Sequence, residues 1–175
     1  MRREIPLRHG PAESRLRPGA AYRLLTASVV PRPIAWVSSR SATGVDNLAP
    51  HSFYTVVSTD PPMVAFTSVG RKDTLNNVEA TREFVVNLTP EWLFEEVNGT
   101  GTDYPAGTSE FDVEGIEREV ALTVAAPRVA QSPVGRTSWS RHSSATGDCA
   151  TRGAATVSAA SRSMPSTSNS LVPAG

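Results

Sequence analysis

Three short runs gather the side chains of this 175-residue chain that are equipped for binding chemistry. The run Gly70-Arg71-Lys72-Asp73-Thr74-Leu75 puts two cations and a hydroxyl after an apolar stretch and ahead of a helical spacing. Helix N-terminal N–H groups beside two positive side chains suit a phosphate or another anion. Lys72 is the only lysine in the chain, and the competing reading of the run is a solvated turn capped by Asp73. The run Asn47-Leu48-Ala49-Pro50-His51-Ser52-Phe53-Tyr54 offers neutral hydrogen-bonding groups at Asn47 and Ser52, a small residue at Ala49 and a bend at Pro50. Proline interrupts a ladder, so neighbouring N–H donors are expected to be free for a ligand; a plain hairpin with a bulge is the equal alternative. In Pro31-Arg32-Pro33-Ile34-Ala35-Trp36-Val37-Ser38-Ser39, two prolines set an extended entry, Trp36 brings a flat apolar surface and the serines bring hydroxyls to a strand end. Residue chemistry alone favours an edge strand with a buried tryptophan there.

No other part of the chain suggests a nucleophile or a metal centre. Ser138, Ser140 and His142 lie in a low-complexity stretch without a G-x-S-x-G elbow, and Cys149, the single cysteine, has no partner ligands at metal spacing. No G-x-G-x-x-G or Walker A run occurs. The 17 basic and 17 acidic residues cancel, which argues against a general nucleic-acid binder. The longest mostly apolar stretch, 29–37, is broken by Pro31, Arg32 and Pro33, so no segment reads as a membrane span. The N-terminus has no apolar h-region, so a cytoplasmic protein is expected, with Asn87-Leu88-Thr89 and Asn98-Gly99-Thr100 as chance sequons.

The elements that must position these runs are mostly strands. Residues 34–39, 52–58, 63–69 and 83–88 are rich in β-branched and aromatic residues and bounded by Pro, Gly, Asn and Asp, and 121–125 reads as a fifth strand. Leu75 and Val78 fall at helical spacing within 73–82, with Asp73 or Thr74 placed to cap, and 90–97 reads as a second helix with Pro90 at or near its first turn. A helical turn is expected at 21–27 and an irregular loop at 99–112. A meander of short strands interrupted by two helices points to a small barrel or sandwich.

Taken together and in order, the three runs resemble the flavin reductase-like family, whose domain is an FMN-binding split barrel. Tyr22-Arg23-Leu24-Leu25-Thr26, Glu83-Phe84-Val85-Val86-Asn87-Leu88 and Pro127-Arg128-Val129-Ala130-Gln131-Ser132-Pro133-Val134 extend the resemblance over roughly 20–134. It implies a mainly β fold, a Greek-key-like split β-barrel with two short helices. It also implies that Ser38, Ser39, Asn47, Ala49 and Ser52 line the ring and ribityl chain of FMN. Arg71, Lys72 and Thr74 would hold its phosphate, with Arg32 and Trp36 as neighbours. The implied activity is hydride transfer from NAD(P)H to flavin, the cofactor carrying the hard chemistry. A homodimer and an oxygenase or other electron acceptor are the implied partners. The alternatives are a flavin-binding or carrier domain without reductase activity and an inactive truncated fragment.

Composition then breaks. Val, Ile, Leu, Met, Phe, Trp and Tyr number 41 in positions 1–135 but 5 in the last 40, where Ser, Thr and Ala make up 22. This divides the chain into a mobile arm over 1–19, an incomplete split-barrel domain over 20–134 and a low-complexity, disordered tail over 135–175. The strands that should follow Val134 are expected to be missing, as a shifted reading frame or a misplaced gene end would leave them, with two sheet edges unpaired.

Overall fold

The computed structural model describes residues 19–60, 62–133, 135–144 and 154–160, the last two stretches by their backbone. The chain divides into two compact units, Met1–Arg32 and Pro33–Gly175. In the first, helix α1 (Ala20–Ser28) covers the expected helical turn. The Arg32 guanidinium donates to the carbonyls of Thr26 at 2.6 Å and Val29 at 2.7 Å, satisfying acceptors at the helix's C-terminal end.

The second unit is built on strands β1 (Ala35–Arg40), β2 (Asp46–His51), β3 (Tyr54–Thr59), β4 (Pro62–Val69), β5 (Glu83–Asn87), β6 (Arg118–Glu119), β7 (Arg128–Val129), β8 (Gly135–Ser144) and β9 (Ala154–Ala160). Seven form one antiparallel sheet in the order β2-β1-β5-β8-β9-β4-β3, and β6 pairs with β7 alone. The sheet therefore does not stop at residue 134. β8 pairs with β5 from Asn87↔Gly135 to Glu83↔Trp139, and β9 pairs with β4 from Val69↔Ala154 to Met63↔Ala160. The edges of β5 and β4 expected to be bare are thus paired with the backbone of β8 and β9. Residues 1–18, 145–153 and 161–175 of the expected arm and tail lie outside the described residues.

Side-chain alternation along β1 separates two cores. Ala35 and Val37 pack with Phe66, Leu75, Val78, Phe84 and Val86, and Trp36 packs on the other face with Leu48, Leu93, Phe111, Ile116 and Val129. Helix α2 (Asp73–Thr81) buries Leu75 and Val78 against the first core and ends at Arg82, whose φ of 63° is left-handed. No side chain caps its N-terminus: Lys72 takes the cap position, and the Thr74 hydroxyl is engaged by Asn47 instead. A 3-10 turn (Glu91–Leu93) capped by Pro90 leads into helix α3 (Phe94–Gly99), so Pro90 stands next to the first helical turn as expected.

Two local expectations change. The loop expected over 99–112 contains the start of a short helix, α4 (Glu110–Val113). Residues 121–125 are not a strand: Ala121, Val124 and Ala126 pack on Val85, while Val120 and Leu122 stand exposed and the Ala125 N–H donates to the Glu83 carboxylate at 2.9 Å. The apolar residues there cover β5, and the backbone finds a side-chain acceptor rather than a ladder. Among the described residues no helix is long and apolar enough to cross a membrane.

Candidate functional site

The motif residues separate into a buried set and an accessible set. β1 is buried on both faces, so Ser38 and Ser39 are fully buried on opposite sides of it. The Ser38 hydroxyl donates to the Pro127 carbonyl and accepts from Asn87 Nδ2 at 3.1 Å. Asn87 also donates to the Trp36 carbonyl at 3.0 Å and accepts from the Val129 N–H at 3.0 Å, so one amide ties β1 and β5 to β7. Ser39 accepts from Asn77 of α2 at 3.1 Å, and Asn47 donates to Thr74 of α2 at 3.0 Å. These pairs fasten α2, and the loop that feeds it, to β1 and β2. Trp36 is core: its indole donates to Thr100 Oγ1 at 2.8 Å, and Thr100 in turn donates to the Val97 carbonyl at 3.0 Å.

The expected release of donors at Pro50 does not occur. The β1–β2 register runs without a shift from Ala35↔His51 to Arg40↔Asp46, with Trp36 opposite Pro50. Pro50 is tolerated because β2 ends the sheet order and is an edge strand. The Leu48 N–H donates to the carboxylate of buried Glu110 at 2.9 Å. Burial pushes the Glu110 carboxyl above the usual carboxylate range, and the Leu48 N–H pulls the other way.

The accessible set begins at the N-terminus of α2. Arg71 and Lys72 are exposed, and each already faces a carboxylate. Arg71 pairs with Glu79 of α2, and Lys72 Nζ lies 2.6 Å from Asp103 Oδ1. That pairing holds the Asp103 carboxyl below its ordinary range. The segment before α2 therefore presents two cations with displaceable partners, beside helix N–H groups that favour anions.

A cleft of about 810 Å³ opens beside β2, within the roughly 300–1,000 Å³ of small-molecule sites. Ile34, Pro50 and Ser52 form one side, and Phe94, Val97 and Asn98 of α3 belong to the other. Glu91 is the only charged residue in its lining. Ser52 is thus the one predicted ligand contact that reaches this cleft, while Ala49 is half-buried on β2 nearby in sequence. Arg32 belongs to the first unit and caps α1 there.

His51 points away from this chemistry. Its ring lies 4.8 Å from that of Phe66, and its Nε2 is buried without a hydrogen-bond partner. Burial lowers its pKa to about 4, opposed by a hydrogen bond to the Thr67 backbone and aided by the Lys72 charge. A neutral imidazole with a bare lone pair packs as a core side chain.

Sequence reasoning missed Asn87, Glu110, Asp103 and Phe94. Asn87 was visible as a polar residue closing an apolar strand, and Phe94 as an aromatic among glutamates in 90–97. Nothing local marks Glu110 or Asp103, because each acts on a partner more than thirty positions away or nearly so.

Comparison with known proteins places these features in context. Residues 27–159 match the family model described as the flavin reductase like domain. A protein of Aquifex aeolicus (strain VF5) is 42% identical over 118 residues, covering 65% of this chain and 60% of its own length. The chain spans little more than half the length of the curated relatives it matches most strongly. The crystal structure of nitrilotriacetate monooxygenase component B from Bacillus cereus superposes with a TM-score of 0.78 at 26% identity, covering 92% of this chain and 81% of that one. The 2-nitrobenzoate 2-nitroreductase NbaA of Pseudomonas fluorescens gives 0.77 at 28% identity, covering 90% and 76%.

Proposed function

The chain belongs to the flavin reductase like family and has its mainly β split-barrel fold, and from that premise we propose that it binds FMN and reduces it with NAD(P)H. The observation that carries the reading is the pairing of a cationic helix N-terminus with an open cleft, both served by β2 and the loop after it. The fit with a phosphorylated, planar cofactor is good at these two places. Arg71 and Lys72 are exposed cations with displaceable partners, and the cleft is large, mostly apolar and edged by the Ser52 hydroxyl. In this reading Arg71 and Lys72 hold the phosphate, and Ala49 and Ser52 meet the ribityl chain and ring.

Ser38, Ser39, Asn47, Thr74 and Trp36 have a different task. They are buried and hydrogen-bonded to one another's surroundings, so they brace α2 and β2 rather than touch a ligand. Flavin, when bound, supplies the hydride-accepting ring, so the protein needs no acid–base pair of its own. The cleft walls shield the reacting face from water, and Phe94 adds an exposed aromatic surface for a second planar ring. A homodimer, and a partner oxygenase or other acceptor that takes the electrons, complete the proposal. The two solved relatives, a monooxygenase component and a nitroreductase, are consistent with electrons leaving by this route.

Anaerobic spectroscopy tests it. Purified chain mixed with FMN should quench flavin fluorescence, and adding NADH or NADPH should bleach the absorbance near the flavin maximum. Quenching without bleaching would make the chain a flavin carrier, and the absence of both would remove the reading.

A further inference from the structure

The segment that supplies one wall of the cleft continues directly into the residue that holds the only lysine. Phe94, Val97 and Asn98 of α3 line the cleft, and five positions after Asn98 comes Asp103, 2.6 Å from Lys72 Nζ. Between them the chain is anchored on both sides. Thr100 is buried and held by the Trp36 indole, and Tyr104 donates to the Glu114 carboxylate at 2.6 Å. Gly101 lies against the cleft wall: a Cβ there would meet the Asn98 carbonyl at 3.2 Å and Pro50 Cγ at 3.4 Å. Residues 101–103 thus form a strap fastened at two ends, with Gly101 beside Pro50, where a Cβ would already be in contact, and with its one carboxylate on Lys72.

The strength of that last contact decides what the strap does. Asp103 is 85% exposed and Lys72 56% exposed. An exposed pair of this kind is weak and is weakened further by salt. A phosphate carries more charge and more acceptor oxygens than a carboxylate and can also meet Arg71 and the helix N–H groups. It can therefore displace Asp103, although the displacement costs part of its binding energy.

Resting on the proposed flavin site, we propose that Asp103 is an internal stand-in for the phosphate at Lys72, which keeps a phosphorylated flavin exchangeable and narrows its advantage over the unphosphorylated form. Asp103 is in this sense a specificity residue, acting by competition and not by contact with the ligand.

Fluorescence titrations of the full chain with FMN and with riboflavin test it at low salt. Asp103→Asn should tighten FMN about threefold, the worth of one exposed ion pair, and leave riboflavin unchanged. Asp103→Glu should restore the wild-type ratio. Equal shifts for both ligands, or none for FMN, in a wild-type chain that prefers FMN would overturn this inference and leave the flavin reading standing. A wild-type chain that binds FMN and riboflavin equally well, with the ratio unmoved in Asp103→Asn, would remove the phosphate site at Lys72 and this inference with it, whereas a chain that binds neither flavin would remove the flavin reading itself.

Discussion

The β1–β5 interior and the rim at the start of α2 carry the same kinds of residue to opposite ends. Inside, Ser38, Ser39, Asn47, Thr74 and Asn87 are buried and each side chain hydrogen-bonds within the fold. At the rim, Arg71, Lys72 and Asp103 are exposed and held only by surface ion pairs. Buried polar groups are costly to strand, whereas exposed ion pairs are cheap to exchange. The motif runs therefore contain two populations: residues hydrogen-bonded into the platform and exposed residues that, in the proposed function, exchange an ion pair for a ligand.

The contrast is tested most severely in the interior. Trp36→Ala should destabilise the fold by about 3–5 kcal/mol, since it removes a fully buried ring and the donor that anchors Thr100. Denaturant melts would measure this, and a loss below about 1 kcal/mol would show that Trp36 is not core. Acid is the second probe. His51 has a folded pKa of about 4 against an ordinary 6.5, so the unfolded chain binds more protons between those values. Stability should then fall as pH drops from 6.5 to 4, by about 3 kcal/mol in full, and His51→Gln should flatten that part of the curve.

Asn87→Ala should cost about 2–3 kcal/mol by stranding the Val129 N–H and the Trp36 carbonyl from their partner. Thermal melts would show it even with flavin absent. The rim should behave in the reverse sense. Lys72→Gln should weaken FMN about tenfold, as loss of a charge-assisted contact does, while moving stability by less than about 0.5 kcal/mol. An equal effect on melting would erase the distinction between platform and rim.

Much of this was legible in the residues. The apolar runs 34–39, 63–69 and 83–88 became β1, β4 and β5, and Leu75 with Val78 marked α2, because alternation and helical spacing report directly on burial. The split between platform and rim was not, since a serine on a strand reads the same whether its hydroxyl meets Pro127 or a ligand. Residues 121–125 misled because apolar pattern does not reveal whether a neighbouring edge is free to pair. β8 and β9 were missed for the converse reason. Their sequence holds few large apolar residues, and what makes them strands is the open backbone of β5 and β4, which lies elsewhere in the chain.

The position of β8 and β9 in the sheet also sets an order of events in time. Strands β2, β1 and β5 form one ladder and β4 and β3 another, and among the described residues the sheet order joins them through β8 and β9. The β1–β2 and β3–β4 pairs are local and β5 adds to β1 over a longer loop, but the two half-sheets cannot be joined until the residues of β8 and β9 have been made. During synthesis the edges of β5 and β4 wait uncovered, so the nascent chain passes through a stage with two adhesive borders. β8 and β9 are the keystone of the sheet, and the faster they dock, the shorter the time for which those borders stay open to aggregation.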